Sequence, residues 1–102
     1  MSFEADLAEA IAKEMRLRIL QQLDAQVDKQ LSIVLLKRVL DAYGYRRDRD
    51  WLEPQLRKLE QLGAVALSEP GGTLVARIEA PGRAHIEERS VLGGGMLPSE
   101  AK

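Results

Sequence analysis

The sequence predicts one domain that is mainly α-helical and contains a β-hairpin. Apolar residues recur at helical spacing from residue 7 to residue 62, and residues that favour helix ends divide this stretch into three. After Gly63 the apolar pattern alternates, as it does in strands that are buried on one face. With 102 residues, the chain has room for one hydrophobic core.

A long first helix is predicted to run from the N-terminus to about Leu23. Ser2 can cap this helix, and Glu4 and Asp6 lie in its first turn, where the helix dipole favours negative charge. Apolar residues recur every four positions along it and form a broad apolar band. Such a band is typical of a helix that faces a core.

Part of this band is also predicted to lie in a homodimer interface, because the band is longer than one small domain needs. The predicted interface residues are Leu7, Ile11, Met15 and Ile86, the last of them in the C-terminal helix. Pairing of this kind can place two third helices about 34 Å apart on DNA. The alternative is that the band covers only the hairpin and the second helix of its own chain.

The second helix is predicted for residues 33–43, after a connection at residues 24–30 that interrupts the helical pattern. Ser32 is a suitable N-cap. Gly44 follows the last turn, at the position where a left-handed residue commonly ends a helix.

The third helix is predicted to end at Gly63, and either Asp48 or Asp50 can cap its beginning. We favour Asp50, because it forms an Asp-x-x-Glu capping box with Glu53. The same choice places Pro54 near the first turn, where the missing N–H costs least.

A β-hairpin is predicted for residues 64–68 and 73–79. Between the two strands, Pro70 followed by Gly71 suits the central positions of a type II turn, since the second of these positions requires a positive φ. The hairpin is expected to close the core.

Three helices followed by a hairpin, with a short turn between the second and third helices, is the element order of a winged helix-turn-helix. We assign residues 1–92 to one such domain, with a long N-terminal helix and a short C-terminal helix from residue 81 to about residue 89. Residues 93–102, which begin with three glycines, are expected to form a flexible tail.

Four stretches of the sequence resemble the small winged-helix proteins that Mu-like phages and prophages encode. They are residues 16–20 (RLRIL), 40–46 (LDAYGYR), 59–65 (LEQLGAV) and 81–84 (PGRA). The resemblance extends over most of residues 5–90 and implies a winged-helix fold. It implies no defined activity, because these patterns consist of core and turn residues.

Six side chains are predicted to bind duplex DNA through the third helix: Arg46, Arg47, Arg49, Gln55, Arg57 and Lys58. In a helix-turn-helix the N-terminal part of this helix enters the major groove, where arginines reach phosphates and guanine edges and a glutamine can read adenine. Residues 31–63 carry a net charge of +2, although the whole chain has −1 and a pI near 5.8. These residues predict a DNA-binding protein, and the resemblance to phage proteins implies a regulator or an accessory to phage DNA handling.

A protein-interaction module is the alternative function. Acidic residues interleave with the bases of the third helix, and the predicted wing tip carries Glu69 and no base. In this alternative Tyr45, Trp51 and Pro54 form an apolar-centred contact patch. A phage protein partner, in packaging or morphogenesis, is suggested by the resemblance alone.

The remaining function classes are excluded by missing residues or motifs. The chain has no cysteine, one histidine (His85) and no nucleophile or nucleotide-binding motif, so we expect neither an enzyme nor a bound metal or cofactor. The longest bulky aliphatic run, residues 33–36, is too short to cross a membrane, and the N-terminus is acidic where a secretory signal is basic. We therefore expect no membrane association and a location in the cytoplasm of a bacterial host cell.

Overall fold

The structure is a computed structural model that describes residues 2–92. Its helices and strands are α1 (Phe3–Asp24), β1 (Gln30–Ser32), α2 (Ile33–Ala42), α3 (Arg49–Gln61), β2 (Val65–Ser68), β3 (Val75–Ile78) and α4 (Ala80–Leu92). The three strands form an antiparallel sheet in the order β1-β3-β2. The predicted mainly α-helical winged helix-turn-helix is therefore confirmed; the predicted tail at residues 93–102 lies outside the described residues.

Two of the predicted helix caps are present. The Ser2 hydroxyl accepts a hydrogen bond from the backbone N–H of Ala5 at 3.0 Å, and the Ser32 hydroxyl accepts one from Leu35 at 3.2 Å. Each bond satisfies one N–H group that the first turn of a helix leaves unpaired.

The favoured cap of the third helix was wrong. Asp48 is the N-cap of α3, and its carboxylate accepts a hydrogen bond from the Trp51 N–H at 2.9 Å. Asp50 lies inside the first turn instead, where its charge still faces the positive end of the helix dipole. The capping-box pattern with Glu53 did not decide the outcome, because Asp48 caps the helix two residues earlier through the Trp51 N–H.

Gly44 and Gly63 end α2 and α3 as predicted, with φ of +87° and +74°. Both turns carry the two backbone hydrogen bonds of a Schellman motif. After α2, for example, the Tyr45 N–H bonds the Leu40 carbonyl at 2.9 Å and the Gly44 N–H bonds the Asp41 carbonyl at 3.0 Å. These closed ends set the direction in which the chain leaves each helix.

The core lies between the C-terminal half of α1, the inner faces of α2 and α3, and one face of the sheet. Its largest fully buried side chains are Ile19, Leu20, Leu23, Ile33, Leu36, Leu40, Leu52, Leu56, Leu74 and Ile78. By contrast, every residue from 3 to 10 in α1 is exposed. The apolar band of α1 is therefore used by its own core only from about its middle onwards.

Strand β1 was not predicted, since residues 24–30 were expected to be a connection and Leu31 only preceded a cap. Three residues are too few to show an alternating pattern, and the strand depends on its partner: Leu31 pairs with Ala76 of β3. The Ile33 N–H continues this pairing by bonding the Leu74 carbonyl at 2.8 Å. The sheet thus has three strands where a two-stranded hairpin was expected.

The hairpin and the last helix match the prediction closely. Leu74, directly before β3, and Ala76 and Ile78 of β3 share the buried face. The tip contains two overlapping turns, in which Gly71 has the predicted positive φ of +61° and Gly72 also has a positive φ of +82°. Helix α4 has 13 residues and extends three residues beyond its expected end.

Gly82 allows α4 to lie against the sheet. A Cβ atom at this position would stand 2.5 Å from the Ala64 carbonyl oxygen and 2.9 Å from the Ile78 side chain. Contacts this short require a shift of the backbone, so only glycine fits at this crossing. The close approach fixes the position of α4, which in turn packs against α1.

Candidate nucleic-acid interface

Helix α3 presents one long face to solvent. Leu52, Leu56 and Leu59 are buried on the inner face, whereas Pro54 and Gln61 are exposed on the opposite face. The predicted DNA-binding residues surround this exposed face, but the structure places them in three different environments.

Arg46 and Arg49 form the first environment, at the N-terminal end of α3. Both side chains are exposed, and within residues 2–92 neither makes an ion pair or a side-chain hydrogen bond. Arg47 lies between them in sequence, and its guanidinium stacks over the Trp51 ring at 4.8 Å from the centroid. The stacking orders Arg47 without neutralising its charge.

The position of these arginines is unfavourable for the helix itself. The N-terminus of a helix carries a partial positive charge, so cations there lower helix stability and anions raise it. The Asp48 carboxylate caps the helix and Asp50 lies beside it, which offsets part of this cost. The exposed arginines beside the positive end of the helix dipole form a surface that favours anions.

Arg57 lies in a second environment, on the side of α3 that faces the wing. Its guanidinium pairs with Glu53 at 3.7 Å on the same helix and with Glu69 at 3.3 Å on the wing tip. Two carboxylates therefore compensate one guanidinium. Lys58, the next residue, is exposed and makes no ion pair within residues 2–92.

Gln55 lies in a third environment and does not face outward. Its side chain is half-buried, and its Oε1 accepts a hydrogen bond from the Arg16 Nη1 of α1 at 2.9 Å. This oxygen already accepts a hydrogen bond from α1. Gln55 therefore does not lie with the arginines on the surface where it was predicted to read adenine.

Two arginines of α1 hold the helix-turn-helix in place, and sequence reasoning assigned neither of them a role. Arg16 is mostly buried and bonds both Gln55 and Glu9, the latter at 3.3 Å. Arg18 pairs with Glu14 at 2.9 Å and stacks over the Tyr45 ring at 5.6 Å, in the turn before α3. No signal in the sequence distinguishes these two arginines from exposed bases, because their partners are 27 and 39 residues away.

The wing carries little free positive charge. Glu69 is the charged residue of its tip, and Arg77 of β3 pairs with Glu79 at 3.5 Å. An acidic tip that pairs with Arg57 connects the wing to α3 and is poorly suited to a nucleic-acid phosphate.

The four predicted dimer residues differ in how far they are exposed. Leu7 is 47% exposed, whereas Met15 is 4% exposed and lies in the core of its own chain. Ile11 and Ile86 are half-buried and pack against that core. Of the predicted set, Met15 is therefore a core residue, and the free apolar surface lies nearer the N-terminus.

Within residues 2–92, no group of three histidine, cysteine, aspartate or glutamate side chains is arranged to hold a metal ion. Over the same range no helix combines the length and the apolar character needed to cross a bilayer.

Comparison with solved structures identifies a related fold. A MarR family transcriptional regulator from Streptomyces coelicolor matches with a TM-score of 0.66 and 21% sequence identity. The match covers 80% of this chain and 58% of that regulator, so the chain spans less than two thirds of its length. The fold is a winged helix-turn-helix.

At this level of identity the similarity shows the winged-helix fold and leaves the function to be argued from the surface. No family model and no curated protein matches the sequence. None of these comparisons tests the resemblance to winged-helix proteins of Mu-like phages, which stays a prediction.

Proposed function

We propose that this winged-helix protein binds duplex DNA through the N-terminal end of α3, as a phage- or prophage-derived regulator or accessory to DNA handling. The observation that carries the proposal is the pair Arg46 and Arg49, which are exposed and unpaired within residues 2–92 at the positive end of a helix. This placement disfavours the helix and favours a bound polyanion.

Some of the proposed contacts position the protein on the DNA backbone, and others lie along the groove. Arg46 and Arg49 bind phosphates, because exposed guanidinium groups beside the first turn of the recognition helix reach the backbone of the duplex. Arg47 approaches the groove while it stacks on Trp51, and Lys58 extends the positive surface one to two turns along α3. Two copies bind adjacent half-sites in this proposal, about one helical turn of DNA apart.

The test is binding of labelled random duplex DNA at about 50 mM and about 200 mM salt. The wild-type chain is expected to bind with micromolar affinity or better at low salt and to lose affinity steeply at high salt. The double variant Arg46→Ala, Arg49→Ala removes two phosphate contacts, so the slope of log affinity against log salt should become shallower by about 2.

The matched control is the double variant Arg77→Ala, Arg83→Ala. It makes the same change in net charge at two exposed residues on β3 and α4, away from the start of α3. The control should keep nearly the wild-type salt slope. Absence of binding by the wild-type chain at 50 mM salt, or equal losses in the two double variants, would refute the proposed interface.

A protein-interaction module is a second candidate, and the compensation of Arg57 favours it. Glu53 and Glu69 neutralise this base, and Pro54, about one turn before Arg57 on the same helix, is exposed. A module of this kind, for example in phage packaging or morphogenesis, binds no DNA at physiological salt, and its partner contact does not change with Arg46→Ala.

A further inference from the structure

A side chain that reads a DNA base needs two properties, which are free hydrogen-bonding groups and a fixed position. Free groups are needed because each base pair is recognised by its pattern of donors and acceptors in the major groove. A fixed position reduces the conformational entropy that is lost when the contact forms. Gln55 and Arg57 lack free groups, because Arg16 already bonds the Gln55 oxygen and two carboxylates pair with the Arg57 guanidinium.

Arg46, Arg49 and Lys58 have free groups but lack a fixed position. All three are exposed, and within residues 2–92 no side-chain hydrogen bond, ion pair or aromatic contact holds them. Unrestrained bases of this kind suit phosphate contacts, which carry no sequence information of their own.

Arg47 has both properties. Its guanidinium lies over the Trp51 ring, 4.8 Å from the ring centroid, and the residue is half-buried. This contact uses no hydrogen-bond acceptor, and within residues 2–92 the Arg47 side chain forms no ion pair and donates no hydrogen bond. Asp48 and Asp50, the acids nearest in sequence, therefore leave it unpaired; Asp48 caps α3 instead.

Trp51 is a firm platform for this arginine because both its backbone and its ring are held. Its N–H donates a hydrogen bond to the Asp48 carboxylate at 2.9 Å, and its half-buried ring packs against the hydrophobic core. Trp51 is the third residue of α3, so the stack brings the Arg47 guanidinium from the preceding turn to the first turn of the helix. In a helix-turn-helix, this part of the recognition helix contacts base edges.

Guanine is the base whose major-groove edge fits a guanidinium. It presents two acceptors, O6 and N7, and the planar fork of an arginine donates to both. We propose that Arg47, held by Trp51, is the specificity-determining residue of the interface and reads a guanine in each half-site. The proposal rests on the proposed DNA binding and names the base that the interface selects.

Selection of binding sites from a random duplex library tests the preference. The wild-type chain is expected to enrich sites with a guanine at one fixed position of the half-site. Arg47→Ala should lose the preference at that position and keep nearly the wild-type salt slope. Arg46→Ala is the matched control with the same loss of charge: it should weaken binding to all sequences alike, make the salt slope shallower by about 1 and keep the guanine preference.

Modified bases at the selected guanine identify the atoms in contact. The analogue 7-deazaguanine lacks the N7 acceptor and should weaken wild-type binding about tenfold. Hypoxanthine keeps O6 and N7 and lacks only the minor-groove amino group, so it should change the affinity by less than about twofold. Arg47→Ala should bind the guanine and 7-deazaguanine duplexes with nearly equal affinity.

Substitutions of Trp51 test the role of the stack. Trp51→Leu keeps an apolar side chain against the core and removes the aromatic face, so the effect of 7-deazaguanine should fall from about tenfold to about threefold. Trp51→Tyr restores an aromatic ring and should restore most of the effect. Circular dichroism checks the fold, and Arg47→Ala tests the base contact independently of it. An undiminished effect in folded Trp51→Leu would overturn the role of the stack.

The outcomes separate this proposal from DNA binding itself. Absence of binding by the wild-type chain at about 50 mM salt would overturn both. Binding without selection of a guanine would overturn only the reading by Arg47, as would an equal loss of the preference in Arg46→Ala and Arg47→Ala. The same holds if 7-deazaguanine weakens binding of Arg47→Ala as much as it weakens binding of the wild-type chain.

Discussion

The two ends of the basic surface on α3 differ in whether their charges are free. At the N-terminal end, Arg46 and Arg49 are exposed and unpaired within residues 2–92, whereas Arg57 further along the helix is compensated by Glu53 and Glu69. Residues 45–62 contain five bases and four acids, a balance that gives no hint of this division. The availability of each charge depends on the partner that the fold places beside it.

The largest expected difference comes from single alanine variants at the two ends. Arg49→Ala should weaken DNA binding about tenfold at 50 mM salt, since it removes a charge-assisted phosphate contact. Arg57→Ala should weaken it by less than about threefold, because its charge is already shared by two carboxylates. Fluorescence anisotropy with one duplex measures the affinity of both variants. Equal losses of affinity would contradict the proposed difference between the two ends of α3.

The acidic residues at the start of α3 should differ from each other in their effect on stability. Asp48→Ala removes the N-cap bond to the Trp51 N–H and should lower the free energy of unfolding by about 1 kcal/mol. Asp50→Ala removes a charge near the helix dipole and should cost less than half of that. Urea denaturation compares the two, and the reverse ranking would contradict the assignment of Asp48 as the cap.

Removing the acids around Arg57 should make the two ends more alike. The double variant Glu53→Gln, Glu69→Gln frees the guanidinium and is expected to raise DNA affinity about threefold. The slope of log affinity against log salt should become steeper by about 1, because one more phosphate contact forms. Glu87→Gln, Glu88→Gln on α4 is the control with the same change in net charge. An equal gain in the control would show that only the overall charge matters.

The smallest effect is expected at Gln55. Because its carbonyl oxygen accepts the hydrogen bond from Arg16, Gln55→Ala should leave DNA affinity within about twofold while it lowers stability by about 1 kcal/mol. Binding to duplexes of differing sequence, together with urea denaturation, separates these effects. A loss of sequence discrimination in this variant would restore Gln55 as a base-reading residue.

Local chemistry explains which features could be predicted. Serine at an N-cap and glycine after a helix act within a few residues, so the ends at Ser32, Gly44 and Gly63 were predictable. The choice between Asp48 and Asp50 failed because both satisfy the same local rule. Strand β1 was missed because three residues carry no pattern without their partner strand.

The arginine cluster was predictable as a group, but the role of each member was not. Arg46, Arg47 and Arg49 follow a helix end in sequence, so their proximity to the start of α3 is a local fact. The compensation of Arg57 and the contact of Gln55 with Arg16 join residues 12 and 39 positions apart. Such pairs depend on how helices and wing pack.

The sequence by itself determined the order of the helices and the hairpin, most helix ends and the buried face of the hairpin, because capping, turn conformation and apolar periodicity are short-range properties of the chain. Tertiary structure decided which charges are free and which half of α1 is left uncovered. These features depend on distances between elements, and the packing of the core sets those distances.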